Sequence, residues 1–555
     1  MDLDLNKKDL IFMTLLSLLY LSLSVYRLGA LQIPSSSWES SAPSQIIFKF
    51  NDTIEISSLY AFLGEEKTVI IDIYGGTPEN WVYLTSFEDK GYYQWKKIDL
   101  DEATQNVLLS FPLHSGEIVE IAFLDPNGEL ISLDETEIFF EGEETYDAGG
   151  LIDEQEKIEL PITSFSEAYF DEIYYVRGAE DYVEKREIFE QTHPPLGKLL
   201  IALGTLVFGF NPNGWRIMST LFATMIIPLM YALSKNIFQS RTAALISGLL
   251  LSVDFMHFTM GRIATPETFV VFFNLASCLC FYINYRNLQE TGKIRRSSVF
   301  LGFLFFSLAF SIKWYAIFGL VGQVFLILIH YLRDAEKSIK DKVKGFLTQA
   351  MPILSFSLLM SVAVYFLTYI PYMLQGHGPA DVYKLQWEML GYHSNLRVKH
   401  PFSSPWWSWP LISRPLWLTV NALPDANVST IASMGNPLIW WIGIVFVILT
   451  VERAVRDRDD TSIFIAATFL FQWVPFSLLR RVLFIYHFYI NVPILILAVT
   501  LYLHGSWRDG EKRKMVVAYL IATAAAFALF YPVISGAPIP DQYRLLLRWL
   551  PSWLF

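Results

Sequence analysis

Apolar positions along this chain fall into two regimes. In one, runs of roughly 20 apolar residues alternate with short charged breaks, the length that a helix needs to cross hydrocarbon. The expected spans are 10–30, 216–234, 242–258, 267–285, 298–314, 316–332, 351–372, 437–451, 461–478, 482–503 and 515–532, about eleven helices. In the other, between the first run and the rest, the period shortens. Short β-rich runs at 46–50, 68–74, 81–86, 107–111, 118–124 and 138–140 are separated by turn signals such as Gly75–Gly76 and Asp125–Pro126–Asn127–Gly128. Regular short strands of this kind predict an antiparallel β-sandwich over about 45–145.

The charged breaks orient the helices. Lys235–Arg241, Arg286–Arg296, Arg333–Lys344, Arg453–Arg458 and Arg508–Lys514 are short and basic, which places them on the cytoplasmic side. With Lys7 and Lys8 before the first run, the N-terminus is expected inside and the C-terminus outside. One apolar run, 196–210, does not fit as a span, because counting it would put every later basic break outside. It starts at a Pro pair and reads as a re-entrant or amphipathic helix on the outer surface. The expected organisation is a first transmembrane helix at 1–30 and a β domain at 31–150 in the first extracytoplasmic loop. A juxtamembrane loop follows at 151–212, then helices two to seven at 213–372. A Trp/Pro-rich outer loop at 373–435 precedes helices eight to eleven at 436–532 and an interfacial tail at 533–555.

Composition agrees with a polytopic membrane protein: 53% of the 555 residues are hydrophobic and only 17% charged. The net charge of −12 is segregated. Residues 31–170 hold 28 Asp/Glu against 6 Lys/Arg, and the remainder holds 26 acids and 36 bases, so an acidic outer domain sits on a basic membrane body. The two cysteines, Cys278 and Cys280, lie two apart in an apolar run and imply neither a disulfide framework nor a metal site.

The candidate chemistry lies beside the membrane. Asp171–Glu172 and His193–Pro194–Pro195–Leu196–Gly197–Lys198 share the outer face, where paired carboxylates next to hydrocarbon must be solvated or matched by cations. Arg216, Arg262, Lys313, Arg397, Lys399, Arg414, Arg480 and Arg481 break the charge rule on that same side. Any one of them reads as headgroup snorkelling, but together with the acidic pair they fit a site for a lipid phosphate. Tyr92, Tyr93 and Trp95 of the β domain are candidates for stacking on a sugar or, more commonly, for packing. The tryptophans of 373–435 are candidates for capping the cavity or for an interfacial belt.

These motifs occur in an order that resembles the protein O-mannosyltransferases, membrane enzymes of the GT-C fold that use dolichyl- or polyprenyl-phosphate-mannose. Asp171–Glu172 resembles the family's acidic pair, and His193 to Lys198 its HPPLGK signature. Gly214–Trp215–Arg216, the stretch from Gly261–Arg262 to Glu267, and Ser311–Ile312–Lys313–Trp314 resemble further family elements. So do His400–Pro401 to Trp406 with Trp409–Pro410, Gly435–Asn436–Pro437, and Arg481 through Tyr486–His487–Phe488. Glu267 stands where the family usually has Asp, and Phe488 where it has Tyr. The MIR domain of eukaryotic members is absent from this chain, and its β domain occupies the first outer loop, loosely similar to the jelly-roll of carbohydrate-binding modules.

The resemblance implies inverting transfer of a hexose, most simply mannose, from a polyprenyl-phosphate carrier to a hydroxyl, with a Ser/Thr of a protein as the first choice of acceptor. Asp171 is then the base and Glu172 orients it or the acceptor. Arg216, Arg262 and Arg481 lead the candidates for the leaving phosphate, with Lys313 and His400 behind them. His193, Lys198, Glu267, Trp314, Tyr486 and His487 complete the expected substrate-binding set, and His193 and His487 also read as structural. No metal, cofactor or nucleic acid is implied. The setting is a multi-pass membrane protein, in the inner membrane if the source is bacterial. Two alternatives stay open: a GT-C enzyme acting on a lipid, glycan or envelope polymer, and a non-catalytic transporter or sensor with a sugar-binding ectodomain.

Overall fold

The computed structural model describes residues 5–39, 44–64, 67–112, 116–133, 137–141, 149–333 and 338–555. Among them, nine helices are long and apolar enough to cross a membrane: Lys7–Val25, Pro212–Phe238, Glu267–Thr291, Trp314–Arg333, Ile339–Leu374, Pro437–Arg456, Asp460–Leu478, Ile485–Arg508 and Arg513–Ser535. Two of the eleven expected spans are shorter than predicted, at Arg241–Ser252 and Arg296–Phe310. The first is cut short at Asp254, whose carboxylate caps a new helix, Phe255–Met260, by accepting from the His257 amide at 3.1 Å. The second stops at the turn that carries Lys313.

Polar contacts gather the basic breaks at one end of the bundle. Asp9, fully buried, accepts from Arg241 and Tyr231, each at 2.9 Å. Tyr282 reaches the Ile237 carbonyl at 3.4 Å, and His504 packs on Phe238. Asp460 accepts from Tyr285 and from Arg333, at 3.2 and 2.9 Å. Arg216, Lys313 and Arg481 each precede or begin a helix whose far end belongs to this group, so they lie at the opposite end. The first helix is held at both ends: Arg262 donates to the carbonyls of Ser24, Tyr26 and Arg27 at 2.7–2.8 Å, where the last turn of that helix leaves them without partners.

Leu196–Phe208 lies against the start of the Pro212 helix. A Cβ on Gly204 would come within 2.5 Å of the Gly214 carbonyl, so only glycine allows this approach. One side of the helix is buried, while Leu203, Leu206, Val207 and Phe208 are exposed, the amphipathic pattern expected from sequence.

The β domain is built from β1 (Ser44–Leu63), β2 (Val69–Thr77), β3 (Asn80–Asp89), β4 (Gln94–Phe111), β5 (Ile118–Leu124) and β6 (Glu137–Glu141). The six described strands join in one hydrogen-bonded sheet, in the order β3-β2-β4-β1-β5 with β6 also on β1, rather than in the two separate sheets of a sandwich. β1 and β4 are long ribbons paired along their length, with register shifts after Lys49 and Ile56. β6 pairs with the first part of β1 and β5 with the second. Irregularities of this kind bend long strands. The bend lets both halves share one core of Ile46, Phe48, Leu59, Ile71, Leu109 and Phe123.

The aromatics considered for sugar stacking are used to dock this domain. Tyr92 and Trp95 are 4% and 8% exposed. Trp95 stacks on Phe62 at 4.7 Å, and Tyr93 packs edge-on against Phe210 and Trp215 of the membrane body. The Tyr92 hydroxyl donates to Glu180 at 2.7 Å.

Candidate active site

A cavity of about 830 Å³ opens at the end of the bundle opposite the basic breaks. Its polar lining is Asp171, Glu190, Thr192, His193, Lys313, His393, Arg480, Arg481 and His487. Its apolar lining includes Ile317, Phe318, Leu390, Leu396, Phe476, Leu478, Leu479 and Leu483. Trp314 and Tyr486 line it too, so eight of the residues singled out from sequence meet here: Asp171, His193, Lys313, Trp314, Arg480, Arg481, Tyr486 and His487.

Asp171 immediately precedes the helix Glu172–Glu184 and follows Phe170, which is held in the left-handed region at φ 52°. That conformation is costly for a residue with a side chain and recurs at functional sites. Burial pushes the Asp171 carboxyl up to about 7; Glu267 adds to the shift, and Lys313 and Arg481 oppose it. A carboxylate poised there can take a proton near neutral pH. Lys313 pairs with Glu267 and lies 5.7 Å from the rings of both Tyr175 and Tyr486. Its charge is therefore largely matched before any ligand enters. Among the described residues no carboxylate pairs with Arg480 or Arg481, which leaves two cations facing the cavity with charge to spare for an anion.

Other expected site residues lie elsewhere. Glu172 is fully buried, and its carboxylate accepts from Arg216 Nε and Nη2 at 2.8 Å each, from the Ala264 amide at 2.8 Å and from the Tyr169 amide at 3.2 Å. It has no capacity left to orient an acceptor. Arg216 also donates from Nη1 to the Leu28 carbonyl and from Nη2 to the Glu167 carbonyl, at 3.1 and 2.7 Å. Arg216 and Arg262 do not line the large cavity and border a separate void of about 20 Å³. Neither can reach a lipid phosphate in the large cavity: buried guanidinium groups were matched by carbonyls and a carboxylate during folding, as burial requires.

Lys198 is likewise consumed, pairing with the Glu190 carboxylate and donating to the carbonyls of Glu190 and His193 at 2.6 and 3.0 Å. Glu267 stands behind Lys313 and does not line the cavity. His400 is exposed on the outer loop, its ring packed on Phe484 at 5.0 Å and its Nδ1 accepting from the Phe402 amide at 3.2 Å. The tryptophans of that loop do not line the cavity either; Trp409 is buried and Trp387 and Trp407 are exposed. Its contribution is the end of the helix Pro379–Asn395, which brings Leu390, Tyr392 and His393 to the wall.

Glu190 and His393 were not singled out as site residues from sequence. Glu190 is 6% exposed and bonds His193 Nδ1 through Oε1 at 3.1 Å. The Lys198 charge, with the hydrogen bonds to Lys198 and His193, holds the Glu190 carboxyl well below the usual range against burial, while burial pushes His193 down. Nothing in a single sequence distinguishes Glu190 from the acidic residues around it. Among the described residues no group of three or more His, Cys, Asp or Glu is arranged to hold a metal ion, and Cys278 and Cys280 are buried and unpaired.

Fold and cavity together define a polytopic helical membrane protein with a polar site at one end of the bundle. Two family models match it: dolichyl-phosphate-mannose-protein mannosyltransferase over residues 160–374, and the C-terminal four-transmembrane region of protein-O-mannosyltransferase over 379–553. The chain belongs to the protein O-mannosyltransferase family, with the GT-C fold. The polyprenol-phosphate-mannose–protein mannosyltransferase of Mycolicibacterium smegmatis is 24% identical over 449 residues, covering 69% of this chain and 87% of that one. The protein of the same name from Corynebacterium glutamicum is 25% identical over 430 residues, covering 65% and 81%. Among solved structures, the Saccharomyces cerevisiae protein O-mannosyltransferase Pmt1–Pmt2 complex bound to the sugar donor shares the fold. The TM-score is 0.59 at 14% identity, covering 70% of this chain and 89% of that one.

Proposed function

We propose that this chain transfers a mannosyl residue from a polyprenyl-phosphate carrier to a Ser or Thr hydroxyl of a protein. The observation that carries the mechanism is the placement of Asp171 and Arg481 in one cavity that is also lined by many apolar side chains. The prenyl chain lies against the apolar side chains, where its burial is favourable, and the phosphate meets Arg481 with Arg480 beside it. The acceptor oxygen attacks the anomeric carbon from the side opposite the phosphate. As that bond forms, Asp171 takes the hydroxyl proton and the bond from the anomeric carbon to the phosphate oxygen breaks. The anomeric configuration inverts, and polyprenyl phosphate leaves with an added negative charge that the preorganised guanidinium groups stabilise. Glu267 and Lys313 act behind Asp171, setting the field in which it ionises.

The eleven-span arrangement, with the cavity and β domain outside and the N-terminus inside, is part of the same reading. It is supported by the gathering of the basic breaks at the end away from the cavity. The chain is incubated with polyprenyl-phosphate-mannose and cell-envelope extract, and the products gaining a hexose are identified by mass spectrometry. Hexose on Ser/Thr peptides is expected. Label confined to lipid or glycan would overturn the acceptor assignment.

A further inference from the structure

The HPPLGK lysine does not reach the cavity, yet a chain of polar contacts leads from it to Arg481. Lys198 holds the Glu190 carboxylate. Glu190 Oε1 accepts from the Thr192 amide at 3.0 Å and from the Thr192 hydroxyl. Thr192 is thus fixed at both its amide and its side chain, and its carbonyl lies 2.8 Å from His393 Nε2. A carbonyl can only accept, so Nε2 carries the ring proton. In the neutral ring Nδ1 then holds a lone pair, and Arg481 Nη1 donates to it. Burial, with His193 and Arg481 nearby, pushes His393 down to about 3, so the ring stays neutral.

We propose that His393 is a positioning residue that aims the Arg481 guanidinium into the cavity, its tautomer set by the Thr192 carbonyl. The inference rests on the reading of Arg481 as the phosphate ligand. A long arginine side chain loses much conformational freedom when ordered, so a fixed aim requires an anchor. A carboxylate anchor would cancel the charge that the phosphate needs. A neutral imidazole holds one N–H and leaves the charge for the ligand; Nε donates to the Val482 carbonyl at 3.4 Å, and the remaining Nη donors stay available. The arrangement parallels the supporting contacts that orient ligands in metal sites, whose loss costs roughly 10–100-fold.

The test uses the full chain in detergent and four variants: His393→Phe, His393→Asn, Arg481→Ala and the His393→Phe/Arg481→Ala double. Binding of polyprenyl phosphate and of phosphate-free polyprenol is measured beside KM and kcat for the mannosyl donor. His393→Phe is expected to weaken polyprenyl phosphate binding and raise donor KM by roughly 10-fold, with polyprenol binding unchanged as the sign of an intact fold. His393→Asn, whose amide oxygen can accept from Arg481, recovers most of the loss. In the Arg481→Ala background the Phe substitution adds less than about 2-fold, because residues acting through one contact are not additive. Equal losses in both backgrounds would overturn the inference. So would an inert His393→Phe beside a large Arg481→Ala loss, which would leave the phosphate reading standing. An Arg481→Ala variant that binds polyprenyl phosphate normally would remove both.

Discussion

Asp171 and Glu172 are adjacent in the chain, and their carboxylates go to opposite sides of one wall. Asp171 faces the cavity, while Glu172 is clamped by Arg216 in the packed interior behind it. The helix Glu172–Glu184 begins between them, and successive side chains on a helix point about 100° apart, so a sequence pair need not be a spatial pair. An acidic doublet that reads as one functional unit divides into a group that faces the cavity and a group matched inside the fold.

Asp171→Asn is expected to lower turnover by roughly 10²–10⁴-fold, the usual range for losing a positioned base. Binding of polyprenyl-phosphate-mannose should persist, since the phosphate and prenyl contacts are untouched. Steady-state transfer together with donor titration checks both halves. An Asp171→Asn enzyme that turns over normally would exclude this residue as the base.

Glu172→Gln should act differently, through stability. It leaves Arg216 buried without its counter-charge, and breaking one partner of a buried pair typically costs about 3–5 kcal/mol. A lowered thermal midpoint in detergent is the expected reading. Binding and turnover of the fraction that stays folded should change far less than in Asp171→Asn.

The pH dependence follows from the raised Asp171 carboxyl. The base must be ionised, and with its midpoint near 7, kcat/KM should be full above that value and fall as pH drops through it. Glu267→Gln removes a negative neighbour and frees Lys313 to favour the ionised form. The acid limb should then move to lower pH. A limb that stays put in Glu267→Gln would show that Glu267 does not set the ionisation of Asp171.

Trp95→Ala should destabilise the seating of the β domain by about 3–5 kcal/mol, the range for a large buried aromatic. Limited proteolysis of 31–150 reports the loss. Added free sugars should neither protect this segment nor change the fluorescence of Trp95, because its ring is stacked on Phe62 rather than open to ligand.

The sequence alone determined the helical membrane body, because runs of some 20 apolar residues have one low-energy solution in a bilayer. It also determined the family, and it set Asp171, Lys313 and Arg481 within a larger group of candidates that included Arg216, Arg262 and His400, since charge on the apolar, outward side of a membrane protein demands a reason. It located the β strands but not their joining into a single bent sheet, which depends on irregularities within β1 and β4 that carry no sharp sequence mark. Which charges are free for ligand was a tertiary decision. Arg216, Arg262 and Lys198 look the same in sequence as Arg481, yet folding surrounds the first three with carbonyls and carboxylates and gives Arg481 a neutral imidazole and one long contact to the Val482 carbonyl, with no carboxylate among the described residues. The physical reason is that a buried charge must be matched by whatever groups the packing brings within reach, and those groups come from segments tens or hundreds of residues away.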